Sequence, residues 1–210
     1  MSDTFKAFVI HQNPDTAAKQ KTMGSIETLS SADLPDENVL IKVDYSSLNY
    51  KDGLVVTGKG RVCRRLPMVG GIDLAGTVLE SADSRYQAGD QVVVNGYGLS
   101  ESHWGGYSQQ QRVNADYLVK LDAVFSTEQA MALGTAGYTA MLCVMAIQDH
   151  GVTPEHGPVL VTGAAGGVGS VAVMLLAKLG YEVTASTGRV NASKALLTGL
   201  GASEIIDREL

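Results

Sequence analysis

The glycine-rich turn at residues 163–169 constrains the fold more than any other feature of the sequence. An apolar, β-branched run, Val159–Thr162, leads into the turn, and an amphipathic segment that ends at Gly180 follows it. This order predicts a strand, a tight turn and a helix, followed by a second strand over residues 182–186. Together these elements form the first βαβ unit of a parallel, doubly wound sheet.

Such a turn suits a dinucleotide. Glycine has no Cβ, so the backbone can approach a pyrophosphate, and the N-terminus of the following helix directs free N–H groups at that anion. The glycines run G-A-A-G-G-V-G rather than G-x-G-x-x-G, so the prediction depends on the strand before and the helix after them. We expect four consecutive residues to hold the pyrophosphate: Ala165, Gly166, Gly167 and Val168.

Composition narrows the possible partners. The 210 residues carry a net charge of −6, with a pI near 5.1, and a nucleic-acid partner would require a basic surface. The two cysteines, Cys63 and Cys143, lack metal-binding spacing. The N-terminus has no signal-peptide pattern, and no apolar run is long enough for a membrane span. These features predict a cytoplasmic protein that binds neither nucleic acid nor membrane.

The residues before the turn are rich in strand signals. Short apolar runs separated by Gly, Pro and Asp predict strands over residues 5–10, 39–45, 74–79, 91–94 and 107–113. Their regularity predicts a compact, barrel-like β domain over residues 1–125. Ser126 and Gln129 then form a possible capping box, and residues 134–137 interrupt the helical pattern that follows, so we expect two helices meeting there.

Residues 126–210 contain the predicted cofactor domain. Residues 204–207 are predicted to form a third strand, close to the last residue, Leu210. A parallel sheet is buried by helices on both faces, and only two strand–helix pairs precede this strand. We therefore expect an N-terminal portion of a longer protein, with an incomplete cofactor sheet and poor activity by itself.

The end of the second predicted strand indicates which dinucleotide binds. NAD-binding units place an acidic residue there to hold the ribose hydroxyls, whereas this chain has Ser186, Thr187, Gly188 and Arg189. A carboxylate would repel a 2′-phosphate, but Arg189 can pair with it and the hydroxyls of Ser186 and Thr187 can donate to it. The predicted cofactor is NADPH.

Several longer motifs resemble one superfamily. LPMVGGIDLAGTV (66–78), AGDQVVV (88–94), GTAGYTA (134–140) and VTGAAGGVGSVAV (161–173) resemble the medium-chain dehydrogenase/reductase superfamily. Within it, SSLNYKDGLVVTGKG (46–60), SESHWGGYSQQ (100–110), AMLCVMA (140–146) and STGR (186–189) resemble the acryloyl-CoA reductase branch, also called YhdH-type quinone oxidoreductases.

The resemblance implies an α/β architecture, with a GroES-like catalytic domain, a Rossmann domain and an active site in the cleft between them. It also implies a longer chain, a homodimer, and further cofactor contacts from Tyr50, Thr135 and Arg208. Zinc-dependent members carry Cys and Gly-His-Glu where this sequence has Leu48–Asn49–Tyr50 and Gly71–Ile72–Asp73, and residues 95–112 contain no cysteine. No metal site is therefore expected.

Without a Lewis acid, reduction of an activated double bond is the expected chemistry. Hydride from C4 of the nicotinamide would reach the β-carbon of an unsaturated thioester, and enolate charge would develop on the thioester oxygen. Asn49 and Tyr50 are the candidate catalytic residues, holding the nicotinamide and shaping the pocket. Tyr50 and water remain alternative proton donors.

A basic segment suggests a second recognition element. Lys59, Arg61, Arg64 and Arg65 lie close together in GKGRVCRRLP on an acidic protein, so this loop either contacts the phosphates of CoA or is an ordinary solvated loop. Three functions stay open. The protein is an NADPH-dependent acryloyl-CoA reductase, an NADPH:quinone oxidoreductase, or an NADPH-binding protein without turnover.

Overall fold

The computed structural model describes residues 4–15, 17–60 and 62–209. The chain forms two compact units, residues 1–135 and 136–210. The predicted domain boundary near Phe125 stays a prediction. Each unit is described by itself below.

The first unit is built from two antiparallel sheets, with strand orders β2-β1-β4 and β7-β3-β5-β6-β8. Val39, Ile41, Leu74, Val92 and Val94 lie on the buried faces of the larger sheet and form much of its core. The strands are β1 (Thr4–Gln12), β2 (Thr22–Ser30), β3 (Val39–Tyr45), β4 (Met68–Val69), β5 (Asp73–Ser81), β6 (Gln91–Asn95), β7 (Gln110–Val113) and β8 (Val119–Lys120).

The segment just before β7 connects the two sheets. Sequence pattern predicts one strand over residues 107–113, but residues 107–109 pair with β1 instead: Phe8 N donates to the Tyr107 carbonyl at 2.7 Å, and Gln109 N donates to the Lys6 carbonyl at 2.9 Å. Residues 110–113 then pair with β3. Gln109 belongs to both, since its carbonyl accepts from Val43 N at 3.0 Å. This backbone link gives the β-rich unit its barrel-like character.

One helix and the strands β2, β4 and β8 of this unit were not predicted, and β4 and β8 have only two residues each. β2 is exposed along most of its length, so its sequence lacks the apolar alternation that marks a half-buried strand. Helix α1 (Tyr50–Thr57) is only eight residues long, and only residues 46–49 separate it from β3. Asn49 is its N-cap, and Asn49 N donates to the carboxylate of Asp52 at 2.8 Å, which satisfies a free N–H at the helix start.

Helix α2 (Thr127–Asp149) is broken at Gly134, which has φ 51° and ψ −158°. This confirms the prediction of two helices meeting there. The predicted capping box is also present, because Ser126 N donates to Gln129 Oε1 at 3.0 Å and Gln129 N donates to Ser126 Oγ at 3.2 Å. By length and composition α2 alone among the described helices could cross a membrane, a property that core helices share.

The second unit is a parallel α/β layer with strand order β11-β10-β9. β10 lies between its neighbours, with Ala185 opposite Val161 on one side and Ile205 on the other. Val173, Leu176, Val183 and Leu197 pack in its core. The elements are β9 (Val159–Thr162), α3 (Gly167–Lys178), β10 (Val183–Thr187), α4 (Val190–Gly199) and β11 (Glu204–Asp207). The predicted βαβ unit and third strand are confirmed.

Candidate functional site

The turn between β9 and α3 requires glycine at two positions. Gly163 has φ +60°, in the left-handed region. A Cβ at Gly169 would stand 2.4 Å from the carbonyl oxygen of Gly163 and 2.7 Å from Cα of Ala164. Any side chain there would therefore push α3 away from the turn.

The N-terminus of α3 is open to an anion. Its N-cap is Gly166, which has no side chain to satisfy the first backbone N–H groups. Gly166, Gly167 and Val168 are exposed, and Ala165 is half-buried. The four residues predicted to hold a pyrophosphate therefore lie at the positive end of a twelve-residue helix.

The end of β10 opens into a cavity of about 370 Å³ beside this turn. Ser186 and Thr187 are buried, and Thr187 Oγ1 accepts from Arg189 N at 3.2 Å. Gly167 and Val168 line a second, apolar cavity, with Gly163 and Gly166 common to both. The residues around the first cavity are Gly163, Ala165, Gly166, Ser186, Thr187, Gly188, Arg189 and Arg208.

Two guanidinium groups border this cavity without a carboxylate partner among the residues that the structure describes. Arg189 Nη2 donates to the Ala165 carbonyl at 3.0 Å, which brings the side chain back over the glycine turn. Within the described ranges, no ion pair involves Arg189 or Arg208. A cavity with two uncompensated positive charges and an uncapped helix N-terminus suits a ligand with several phosphate groups, so the residues present fit the predicted cofactor.

In the first unit, Asn49 and Tyr50 lie at the start of α1 but in different surroundings. Tyr50 is 85% exposed, and its hydroxyl forms no hydrogen bond with the side chains that the structure describes. Asn49 is half-buried, and its side-chain amide donates to Ser47 Oγ at 2.8 Å and to Asp73 Oδ2 at 3.2 Å. Both N–H groups of the amide are therefore occupied within the protein.

The carboxylate of Asp73 is the centre of this cluster, and sequence reasoning missed it. Asp73 is fully buried at the start of β5. It accepts from the hydroxyl of Ser47, from Thr135 N at 2.8 Å, and from Thr135 Oγ1 at 2.5 Å, besides Asn49. The signal in the sequence was an acidic residue between the apolar residues Ile72 and Leu74.

A second buried carboxylate, Asp52, is hydrogen-bonded to the backbone on both sides of this cluster, at Asn49 and at Ile72. It accepts from Asn49 N at 2.8 Å and from Ile72 N at 3.0 Å. Burial raises its pKa, although these backbone hydrogen bonds oppose the shift. Burial, together with the nearby charge of Asp52, also raises the pKa of Tyr107, so the phenol stays protonated and donates to the Ser47 carbonyl at 3.0 Å.

The described residues of the basic segment form no hydrogen bond with this cluster. Lys59, Arg64 and Arg65 are exposed, and the structure shows no ion pair for them over residues 4–15, 17–60 and 62–209. Arg61 lies outside the described residues. Arg65 borders a cavity of about 590 Å³ that also carries acidic side chains, namely Asp33, Asp36 and Glu37.

No group of three His, Cys, Asp or Glu side chains that could hold a metal ion occurs among the residues with described positions. Asn49 and Asp73, which belong to the two segments compared above with the zinc-dependent members, are hydrogen-bonded to each other. The expectation of a zinc-independent reaction stays a prediction.

The sequence also matches a family model. Residues 35–154 match the alcohol dehydrogenase GroES-like domain, which is more than half of the chain. The chain therefore belongs to this family of medium-chain dehydrogenases/reductases. The fold class predicted from the sequence is confirmed by this match and by the solved structures below.

Individual relatives define the branch. The acrylyl-CoA reductase AcuI of Ruegeria pomeroyi is 54% identical over 205 residues, which is 98% of this chain and 61% of the relative. The putative quinone oxidoreductase YhfP of Bacillus subtilis is 46% identical over 209 residues, covering 100% of this chain and 62% of the relative. These relatives place the chain in the acryloyl-CoA reductase and YhdH-type quinone oxidoreductase branch.

Solved structures agree with this placement. The yhdH oxidoreductase from Salmonella enterica in complex with NADP superimposes with a TM-score of 0.92 at 48% identity, covering 97% of this chain and 61% of the other. The structure of Bacillus subtilis yhfP with NAD bound gives a TM-score of 0.93 at 46% identity, covering 99% and 61%. The chain thus spans about three fifths of the length of these relatives.

Proposed function

We propose that the protein containing this chain is an NADPH-dependent oxidoreductase that reduces the double bond of acryloyl-CoA to give propionyl-CoA. The observation that carries the proposal is the cavity at the end of β10, where Arg189 and Arg208 have no carboxylate partner among the described residues beside the uncapped N-terminus of α3. The names of the relatives, an acrylyl-CoA reductase and an oxidoreductase in complex with NADP, support the same cofactor and substrate class.

The choice of NADPH over NADH rests on charge. A dianionic 2′-phosphate placed at this cavity gains two charge-assisted partners, whereas a ribose hydroxyl leaves both guanidinium groups uncompensated. A solved structure of the B. subtilis relative has NAD bound. The preference for NADPH over NADH therefore has to be measured for each member of the branch. Four residues would hold the 2′-phosphate: Ser186, Thr187, Arg189 and Arg208.

NADPH, when bound, supplies the hydride. The residues of the first unit bind and orient the reacting groups. Asn49 and Thr135 would hold the nicotinamide carboxamide, and Tyr50 would donate a proton from its hydroxyl, which no described side chain engages. Water is the alternative donor, and the variant Tyr50→Phe separates the two.

The basic loop would recognise the other end of the substrate. Lys59, Arg64 and Arg65 are exposed cations that can steer the phosphates of CoA, although the carboxylates around the adjacent cavity reduce the local positive potential. Alanine at both Arg64 and Arg65 should raise the KM for acryloyl-CoA and leave the KM for a neutral quinone unchanged. An equal effect on both substrates would overturn this role.

A quinone is the second candidate substrate, because a relative 46% identical is named a putative quinone oxidoreductase. NADPH binding without turnover is the third. Measuring NADPH oxidation by the full-length protein with acryloyl-CoA, crotonyl-CoA and a quinone distinguishes them. Preference for acryloyl-CoA supports the proposal, preference for the quinone supports the second candidate, and binding without oxidation supports the third.

The remaining partner assignments belong to the same proposal. We propose a cytoplasmic homodimer that acts on a small molecule and binds neither nucleic acid nor membrane. The net charge of −6 supports the exclusion of nucleic acid. Sedimentation of the full-length protein would test the dimer.

A further inference from the structure

Asp73 connects residues from two separate parts of the first unit. Its donors come from the loop before α1, through Ser47 and Asn49, and from the break in α2, through Thr135. A buried carboxylate is tolerated when hydrogen-bond donors satisfy its oxygens. Asp73 meets this requirement through Ser47 and through Asn49 and Thr135, the two residues that the proposed function places at the nicotinamide carboxamide.

These hydrogen bonds determine which atoms of Asn49 and Thr135 remain free to bind a ligand. Asn49 has two amide N–H groups, and these go to Ser47 Oγ and Asp73 Oδ2. Thr135 has one hydroxyl hydrogen, and it goes to Asp73 Oδ1. What the two side chains can still offer a ligand is the carbonyl oxygen of Asn49 and the lone pairs of the Thr135 hydroxyl, which are all acceptors.

The negative charge of Asp73 fixes this arrangement. If the amide of Asn49 were turned over, its carbonyl oxygen would face a carboxylate oxygen at about the same distance, which is repulsive. Ser47 strengthens the preference, since its hydroxyl donates to Asp73 and accepts from Asn49. A neutral residue at position 73 would leave both orientations of the amide accessible.

The helix break brings Thr135 into the cluster. In a continuous helix the N–H of Thr135 would bond to the carbonyl four residues earlier; at the break it donates to Asp73 instead, at 2.8 Å. A Cβ at Gly134 would stand 3.1 Å from Asp73 Oδ2 and 3.1 Å from Cβ of Ser47. The approach of this backbone to Asp73 therefore depends on glycine.

We propose that Asp73 is a positioning residue that makes the site of Asn49 and Thr135 an acceptor site, selective for a ligand group that donates N–H hydrogen bonds. This rests on the proposed function, in which that group is the carboxamide of the nicotinamide. Ser47 acts with Asp73 and holds the amide of Asn49 from the other side. Neither residue touches the ligand.

The test compares NADP⁺ with its 3-acetylpyridine analogue, in which a methyl group replaces the amide nitrogen and no N–H remains. Dissociation constants are measured with the full-length protein by calorimetry. The wild type should bind NADP⁺ about tenfold more tightly than the analogue, as expected for loss of one well-placed hydrogen bond. In Asp73→Asn this ratio should fall below about twofold, because the amide of Asn49 can then turn over.

Two further measurements separate positioning from general damage. Affinity for 2′,5′-ADP, which lacks the nicotinamide, should be unchanged in Asp73→Asn. The matched control is Asp44→Asn, since the carboxylate of Asp44 accepts from Lys42 Nζ at 2.8 Å and Thr77 Oγ1 at 3.1 Å, outside the cluster. The control should keep the wild-type ratio.

If Asp73→Asn does not fold, the variant Ser47→Ala tests whether the Asn49 amide is held in one orientation. It leaves Asp73 in place and removes one of the two partners of the Asn49 amide, so the ratio should fall to about threefold. An unchanged ratio in the folded variants would overturn the role of Asp73. A wild type that binds NADP⁺ without preferring it to the analogue would also overturn that role, whereas a wild type that fails to bind NADP⁺ would overturn the proposed function itself.

Discussion

The guanidinium of Arg208 lies directly against the backbone of Gly188. A Cβ at position 188 would stand 2.7 Å from Nε and 2.9 Å from Cζ of Arg208. Glycine at the end of β10 thus leaves space for the second arginine of the cavity, while its own backbone conformation is one that other residues adopt. Gly188 contributes to the cavity through the space it leaves.

This contact predicts a coupled effect. Gly188→Ala should displace Arg208 and weaken NADPH binding by about fivefold, and Arg208→Ala should weaken it by about tenfold. If the glycine acts through Arg208, the double variant should be no weaker than Arg208→Ala alone. Titration of NADPH against the four proteins measures this, and additive losses would contradict the coupling.

Arg189 should determine the choice between the two nicotinamide cofactors. Arg189→Asp replaces a partner of the 2′-phosphate with a group that repels it, so the preference for NADPH over NADH should fall by about 100-fold. Lys194→Asp, which makes the same change of charge on α4 outside the cavity lining, is the control and should change the preference by less than about threefold. A preference that survives Arg189→Asp would show that the end of β10 does not bind the 2′-phosphate.

The hydroxyl of Tyr50 is the proposed proton donor. Tyr50→Phe should lower kcat for acryloyl-CoA by about 100-fold and leave the dissociation constant of NADPH within about twofold. Tyr97→Phe serves as the control because Tyr97 is also an exposed tyrosine of the first unit, with its ring stacked on Tyr117. A loss of less than about threefold in the Tyr50 variant would assign the proton transfer to water.

Two glycines predict opposite changes in the free energy of unfolding. Gly134→Ala places a side chain at φ 51° and ψ −158° and against Asp73, so it should destabilise the protein by about 1–3 kcal/mol. Gly53 lies inside α1, where an added Cβ would meet no atom within 4 Å, and Gly53→Ala should stabilise the protein by about 0.5–1 kcal/mol. Urea denaturation of both variants checks the two signs, and equal signs would contradict the strain at Gly134.

The raised pKa of Asp52 predicts how its contribution to stability changes with pH. Burial makes the folded state bind a proton more tightly than the unfolded state does. The stability due to Asp52 is therefore fully present below the unfolded pKa and is lost as pH rises through the folded pKa. The stability of the wild type relative to Asp52→Asn should fall as the pH rises above about 4, the ordinary pKa of an aspartate.

Asp83 provides the control of opposite sign. Hydrogen bonds from Arg85 lower the pKa of Asp83 to about 2, so the stability it provides is present above its unfolded pKa and is lost only as pH falls through about 2. Relative to Asp83→Asn, the wild type should lose no stability between about pH 4 and about pH 8. Parallel curves for the two variants would contradict the burial effect at Asp52.

The sequence predicted best where one local pattern determines the structure. The turn after β9, the strand β3 and the break at Gly134 each follow from residues that are adjacent in the chain. The pairing of residues 107–109 with β1 was not predictable in this way, because a continuous strand signal does not say which partner each part of the strand will take.

In the candidate site, too, features set by adjacent residues were predictable and features set by residues distant in the sequence were not. Residues of the turn and of the end of β10 line one cavity, since both lie at the same edge of a parallel sheet, and their role in binding the cofactor stays a prediction. Asp73 escaped notice because its importance depends on Ser47 and Thr135, which are 26 and 62 positions away in the sequence. Asn49 was identified, but its occupied N–H groups become visible only in three dimensions.

Residues 107–113 should make the two sheets of the first unit open together. One uninterrupted backbone segment is bonded to β1 through residues 107–109 and to β3 through residues 110–113. Neither sheet can separate from this segment without disturbing the pairing of the other. The amides of both sheets should therefore exchange with solvent through one shared opening, as parts of a single cooperative foldon.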